Sequence, residues 1–207
     1  MVDAYRLRSP LAHLAISAQA RDDIDATVQL SETPFRGLIN IRGDANDATF
    51  VAAVKKAIRL DIPTAPNTVS GKPATTRIFW LGPDEWMVVT KPAGGKRAFD
   101  ALWKNLKIDG LHASVADTSE ARTTITVSGP NARNVMAKLC SLDFHPSQFG
   151  PGQCAQTVVA KVGVMMTQTA ETKSGGATYE LYALRSFSTY LWNRLVDAAN
   201  EYGVQIS

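Results

Sequence analysis

The chain has 207 residues, of which 45% are hydrophobic and 20% charged, and its formal net charge is +3. That length exceeds a typical single domain without requiring two independent cores, and the composition suits a globular chain with a sizeable core. Basic residues are interleaved with carboxylates (Lys55, Lys56 and Arg59 beside Asp61; Lys104 and Lys107 beside Asp109), so they read as solvated helix faces and no nucleic-acid footprint appears.

Ser9 to Arg36 reads as an N-terminal hairpin: LAHLAIS, a polar RDDIDA turn, then TVQLSE. From Gly37 the pattern alternates with period two, bends at Gly43 and continues with helical spacing through Phe50, Val51, Val54 and Ile58, closing at Pro63. Asp61 to Thr76, rich in Pro and Thr, reads as a loop. RIFWL and EWMVV are two apolar strands joined by a Gly-Pro-Asp turn, a hairpin signature, and KRAFDALWKNLK follows as a helix.

The same order then returns. TTITVSGPNARNVMAKLCSLDFHP alternates, turns at Gly129, becomes helical with Val135, Met136 and Leu139 on one stripe, and closes at Pro146. AKVGVMMTQ and ATYELYALR are strands separated by the loop ETKSGG. SFSTYLWNRLVDAANEYG makes a final helix, with Leu191, Leu195, Val196 and Ala199 on one face, Ser186 or Ser188 as a cap, and Gly203 as a stop. Two pseudo-repeats of strand–helix–strand–strand–helix, about 37–110 and 123–203, with the hairpin extension at about 9–36, make one compact α+β domain of duplicated βαββα units. Its sheets are expected to be antiparallel-rich, with helices on one face.

Gly129 has an equivalent in Gly43, and SGPNAR carries one glycine where a phosphate loop needs GxGxxG or GxxxxGK[ST], so the turn is punctuation. Pro130 suits the first helical turn, where its missing N–H has no partner to lose. Asp117, with Ser119 and Glu120 close by, is the most tempting acid/base candidate; DTSE also reads as a loop bonded to its own backbone, the favoured reading. Trp80 and Trp86 flank the turn that holds Asp84 and Glu85, and read as a cross-strand pair or as an anchor for a partner. Arg122, Arg133 and Arg185 lack a second basic residue at a convincing spacing for an anion. Cys140 and Cys154 form no CxxC, and His13, His112 and His145 lie far apart, so no zinc pattern exists; Cys140 at a helix end reads as a buried, reduced thiol, with Cys140–His145 as nucleophile and base the weaker alternative. No catalytic, cofactor-binding or metal residue is assigned. No apolar run approaches the roughly 20 residues of a membrane span, and the N-terminus lacks a secretory pattern, so a soluble, cytoplasmic protein is expected.

Asp117 to Gly203, with D-x-S, TITVSGPNA, FGPGQCAQTVVAKVGVMM and GATYELYAL in that order, resembles the folate-binding domain of glycine-cleavage aminomethyltransferases. SPLAHL, LGPDEWMVV, DTSEARTTITVSGPNA and LRSFSTYLWNRL together extend the likeness over nearly the whole chain to the gamma subunits of heterotetrameric sarcosine oxidase. This resemblance implies an accessory chain beside alpha, beta and delta subunits, alpha being its direct contact. The complex would oxidatively demethylate sarcosine to glycine, with FAD, FMN, NAD, tetrahydrofolate and zinc on the other subunits. In the aminomethyltransferases the last strand runs into an acidic segment that supplies the catalytic acid. Here it runs into Arg185, Ser186, Ser188 and Thr189, so that family's catalysis is not expected of this chain. The alternative is a free-standing folate-dependent aminomethyltransferase; an RNA-binding sheet is disfavoured because no basic-aromatic block is present.

Overall fold

A computed structural model describes residues 7–16 and 25–207. In chain order its elements are β1 (Val28–Glu32), β2 (Arg36–Arg42), α1 (Ala48–Ile58), β3 (Val69–Gly71), β4 (Arg77–Gly82), β5 (Glu85–Pro92), α2 (Gly95–Leu106), β6 (Ser114–Asp117), β7 (Arg122–Gly129), α3 (Ala132–Leu139), β8 (Cys154–Val159), β9 (Val162–Glu171), β10 (Ala177–Leu184), α4 (Ser188–Ala199) and β11 (Val204–Ile206). The fold is α+β with antiparallel-rich sheets. Among the described residues no helix is long and apolar enough to cross a membrane.

The chain forms two compact units: Phe35–Ala121 with Gly152–Ala155, and Met1–Pro34 with Arg122–Pro151 and Gln156–Ser207. The contiguous unit carries a sheet in the order β3-β4-β5-β2-β6; the discontinuous unit carries one in the order β11-β1-β7-β10-β9-β8. Strands β2-β5-β4-β3 and β7-β10-β9-β8 therefore follow one scheme. The strand before the second helix returns antiparallel to the strand before the first. Two strands, β3 and β8, were not revealed by alternation in the sequence.

In the contiguous unit Ile39 and Ile41 of β2, Ile78 of β4, and Trp86 and Val88 of β5 pack with Phe50 and Val54 of α1 and Leu102 of α2. Leu38, Phe79, Met87 and Val89, on the opposite sheet face, are buried as well, which is why RIFWL and EWMVV read as apolar runs rather than alternations. In the discontinuous unit the core takes Leu30, Ile125, Val127 and Leu181 from the sheet with Val135, Met136, Leu191, Trp192 and Leu195 from α3 and α4.

Several local expectations are corrected. The hairpin turn lies largely outside the described residues. Of its two arms, Ala12–Leu14 forms a 3-10 turn that ends at left-handed Ala15, and β1 pairs with β7 and β11 instead. A strand whose partners lie about a hundred residues or more away leaves no local hairpin signal. Pro130 precedes the helix: α3 starts at Ala132 with Asn131 as its cap position. Helix α1 ends at Ile58, five residues before Pro63, because Arg59 turns left-handed. Neither Ser186 nor Ser188 caps α4; the Ser188 hydroxyl donates to the Arg185 carbonyl at 2.7 Å, and Phe187 occupies the cap position.

Gly129 has φ +118°, and a Cβ there would lie 2.4 Å from the Thr27 carbonyl oxygen, so both conformation and space require glycine. The residue ends β7 and is a fold constraint rather than a ligand cradle. Gly129→Ala is expected to cost about 2–3 kcal/mol in urea unfolding, the sum of left-handed strain and a backbone clash. Gly163→Ala, at a position with no neighbour within 4 Å, is expected to be near neutral.

Candidate functional site

The DTSE loop joins β6 to β7. The Asp117 carboxylate accepts from the Ser119 backbone N–H at 3.0 Å and from its hydroxyl. The same hydroxyl accepts from the Leu38 N–H at 2.9 Å, while the Thr118 hydroxyl donates to the Leu38 carbonyl at 2.8 Å. A serine beside a carboxylate suggests an activated nucleophile. Here the hydroxyl is engaged on both sides, holding the loop to the start of β2. The favoured sequence reading, a loop bonded to its own backbone, describes it.

Trp80 and Trp86 stand directly opposite each other across β4 and β5. Trp86 is 0% exposed, donates to the Pro63 carbonyl at 2.8 Å and packs 5.6 Å from the Phe50 ring. It is a core residue with a satisfied indole, so the partner-anchor reading does not apply to it. In the same hairpin Glu85 accepts from Arg42 at 2.6 Å and from Asn40 at 2.7 Å. Burial pushes the Glu85 carboxyl up, but the bonds from Arg42 and Asn40 outweigh it and hold the group below its ordinary range.

The three arginines are not brought together on one acceptor. Arg122 donates to the Tyr182 carbonyl at 3.4 Å and is pushed down by burial. Arg133 binds Glu171 at 2.9 Å and the Gly175 carbonyl at 3.2 Å, and Arg185 donates to the Arg8 carbonyl at 3.0 Å. Cys140 contacts the Thr157 hydroxyl at 3.5 Å, whereas His145 pairs with the Ser147 hydroxyl at 2.8 Å, so the nucleophile–base pairing is absent. Burial pushes the Cys154 thiol up to about 12, against a smaller opposing effect of the Trp80 backbone. Among the described residues no group of three His, Cys, Asp or Glu side chains is placed to hold a metal ion.

Two carboxylates that sequence reasoning passed over are the more buried ones. Glu180 lies mid-strand in β10 and accepts from the Tyr182 hydroxyl. Glu32 ends β1 and accepts from the Ser9 hydroxyl and, at 2.6 Å, from the Thr123 hydroxyl. A glutamate inside the apolar run TYELYAL was the available signal. Both carboxylates serve as hydrogen-bond acceptors that order strands.

The sarcosine oxidase gamma subunit family model matches residues 42–201. The chain belongs to that family. Another gamma subunit, from Corynebacterium sp. strain P-1, is 30% identical over 195 residues, covering 94% of this chain and 91% of its own length. A chain of the heterotetrameric sarcosine oxidase from Corynebacterium sp. U-96, solved in complex with pyrrole 2-carboxylate, superposes with a TM-score of 0.83 at 29% identity over 95% of this chain and 96% of that one. The glycine cleavage system aminomethyltransferase T from Bartonella henselae shares the fold, at TM-score 0.64 and 17% identity, over 95% of this chain and 51% of that one. The chain thus spans about half of that enzyme. The likeness to the transferase, read in the sequence only from Asp117 onward, runs through both units.

Two outcomes follow for this gamma-family chain. In the native state neither Cys140 nor Cys154 should react with a thiol reagent at neutral pH, and both should react once the chain is denatured, because both are buried and for Cys154 burial also withholds the thiolate. For Glu85, a depressed folded pKa means stability present above the unfolded value and lost as pH falls through the folded one. Glu85→Gln should therefore lower Tm by roughly 1–2 °C at pH 7 and leave it unchanged in strong acid, as thermal melts across pH will show.

Proposed function

We propose that this chain is a non-catalytic gamma subunit of a heterotetrameric sarcosine oxidase. The observation that carries the reading is the likeness over nearly the full length of both chains to a component of such a complex. In this reading the assembly oxidatively demethylates sarcosine to glycine, forming hydrogen peroxide and, with tetrahydrofolate, 5,10-methylenetetrahydrofolate. FAD, FMN, NAD, tetrahydrofolate and zinc belong to the alpha, beta and delta subunits, and alpha makes the direct contact. We place the complex in the cytoplasm, in keeping with two unpaired thiols.

The chain's own residues support a scaffold role. Where β10 passes into α4, the position at which the transferases place an acid, this chain has Arg185 and Ser186, followed by Phe187 at 49% and Tyr190 at 45% exposure. Leu184, just before them, is exposed too. Large apolar side chains gathered at one helix start are expensive to leave in water and suit a partner's surface. A general acid, in contrast, needs a titratable group with a tuned pKa, which serine and arginine do not supply.

Co-expression with the alpha, beta and delta chains is expected to yield this chain in fixed stoichiometry with the flavoprotein. Phe187→Ser with Tyr190→Ser should weaken its retention at least about tenfold, the loss of one interfacial hot spot. Recovery of the wild-type chain as a lone monomer beside a fully assembled, active oxidase would remove the proposal. Turnover of a one-carbon substrate by the isolated chain would instead favour the free-standing transferase.

A further inference from the structure

In the contiguous unit, one cavity of about 310 Å³ is bordered by three cations: Arg59 at the C-cap of α1, Lys91 at the end of β5, and Arg97 in the first turn of α2. Thr75 and Thr76 also border it, and Ile58 and Ala98 form part of an apolar wall. Among the described residues no carboxylate borders it. Two other cavities of the same unit mix their charges: one has Arg42 with Asp44 and Asp84, the other Lys107 with Asp109. Among the described residues Arg59, Lys91 and Arg97 have no ion-pair partner, whereas neighbouring Lys96 is neutralised by Asp100 at 2.6 Å and Lys55 by Asp61 at 2.8 Å.

The helix behind the cavity makes this arrangement more unfavourable when empty. Helix α2 begins at Gly94 with no side-chain cap and no acid in its first turn, and Gly94 itself borders the cavity. The positive end of the dipole therefore adds to three like charges rather than offsetting them. Arg59 alone suits its place, at the negative end of α1; Lys91 and Arg97 do not. Like charges collected beside an apolar wall, with no acid among the lining residues, form a complement to an anion that carries an apolar body.

We propose that this cavity binds an organic polyanion, either a phosphate ester or a polycarboxylate. The assignment does not depend on the oxidase reading, and its test uses the full 207-residue chain alone. Inorganic pyrophosphate and citrate are titrated separately by calorimetry at low ionic strength, where screening is weak. Saturable one-site binding of either, with Kd at or below about 1 mM, is the expected result, and which of the two binds distinguishes phosphate from carboxylate chemistry. Arg59→Gly with Arg97→Ala should weaken it at least about tenfold, since two charge-assisted contacts are lost. Glycine suits the left-handed Arg59 position. Should that variant fail to fold by circular dichroism, Lys91→Ala alone should still weaken binding severalfold. Lys104→Ala with Lys107→Ala, elsewhere on the basic surface, should leave it unchanged. Non-saturating heats for both anions, or equal losses in the Lys104/Lys107 variant, would overturn the proposal.

Discussion

Strand β10 lies antiparallel along β7 from Ala177 opposite Gly129 to Leu184 opposite Arg122, and this pairing places the rest of the discontinuous unit. Helices α3 and α4 each leave one end of that pair, so the register decides which of their faces meets Ile125, Val127 and Leu181. A slip of one residue would turn every one of those side chains away from the core. Gly129 protects the register at its end, where the β7 backbone passes close to Thr27. The contiguous unit repeats the device with β5 returned along β2, there with a shift between Arg36 and Leu38.

Within this frame, polar groups that catalysis elsewhere would use are committed to holding strands. Glu32 ties the N-terminal segment to β7 through Ser9 and Thr123, Glu180 is satisfied by Tyr182, and Ser119 fastens its loop to β2. A carboxylate that bonds neighbouring hydroxyls in this way is costly to remove, because its loss leaves those donors unpaired. Other exposed groups among the described residues are of another kind: the rings of Phe187 and Tyr190, and the cations Arg59, Lys91 and Arg97 around one cavity. Exposed rings and clustered cations suit binding, the role proposed above for this chain.

Much of the architecture was legible because its signals are local. The two glycine bends, the apolar runs on either side of Pro83, and the stripes of α1, α3 and α4 all follow from periods of two and 3.6. What escaped was non-local or short. Strand β3 has three residues and no alternation, β8 hides its pattern behind partly exposed residues, and β1 has partners that only the folded chain brings near. LAHLAIS alternates well enough to suggest a strand, yet Ala15 in the left-handed region ends a 3-10 turn there. The Trp80–Trp86 pair and the DTSE loop were readable from spacing. The cationic cavity was not, since its members span 59 to 97, and Arg59 beside Asp61 looked like an ordinary solvated face; the structure gives Asp61 to Lys55 instead.

The parallel alignment of β1 with β11, Val28 beside Val204 and Leu30 beside Ile206, sets an order of events during synthesis. Residues 35–121 emerge together and hold nearly all of one unit, so that unit matures early on the ribosome. Val28 and Leu30 emerge before them yet must wait for Val204 to Ile206 before their sheet is closed. Until those residues have been made, β1 lacks its partner on that side and presents an unpaired edge of the kind that adheres to other chains.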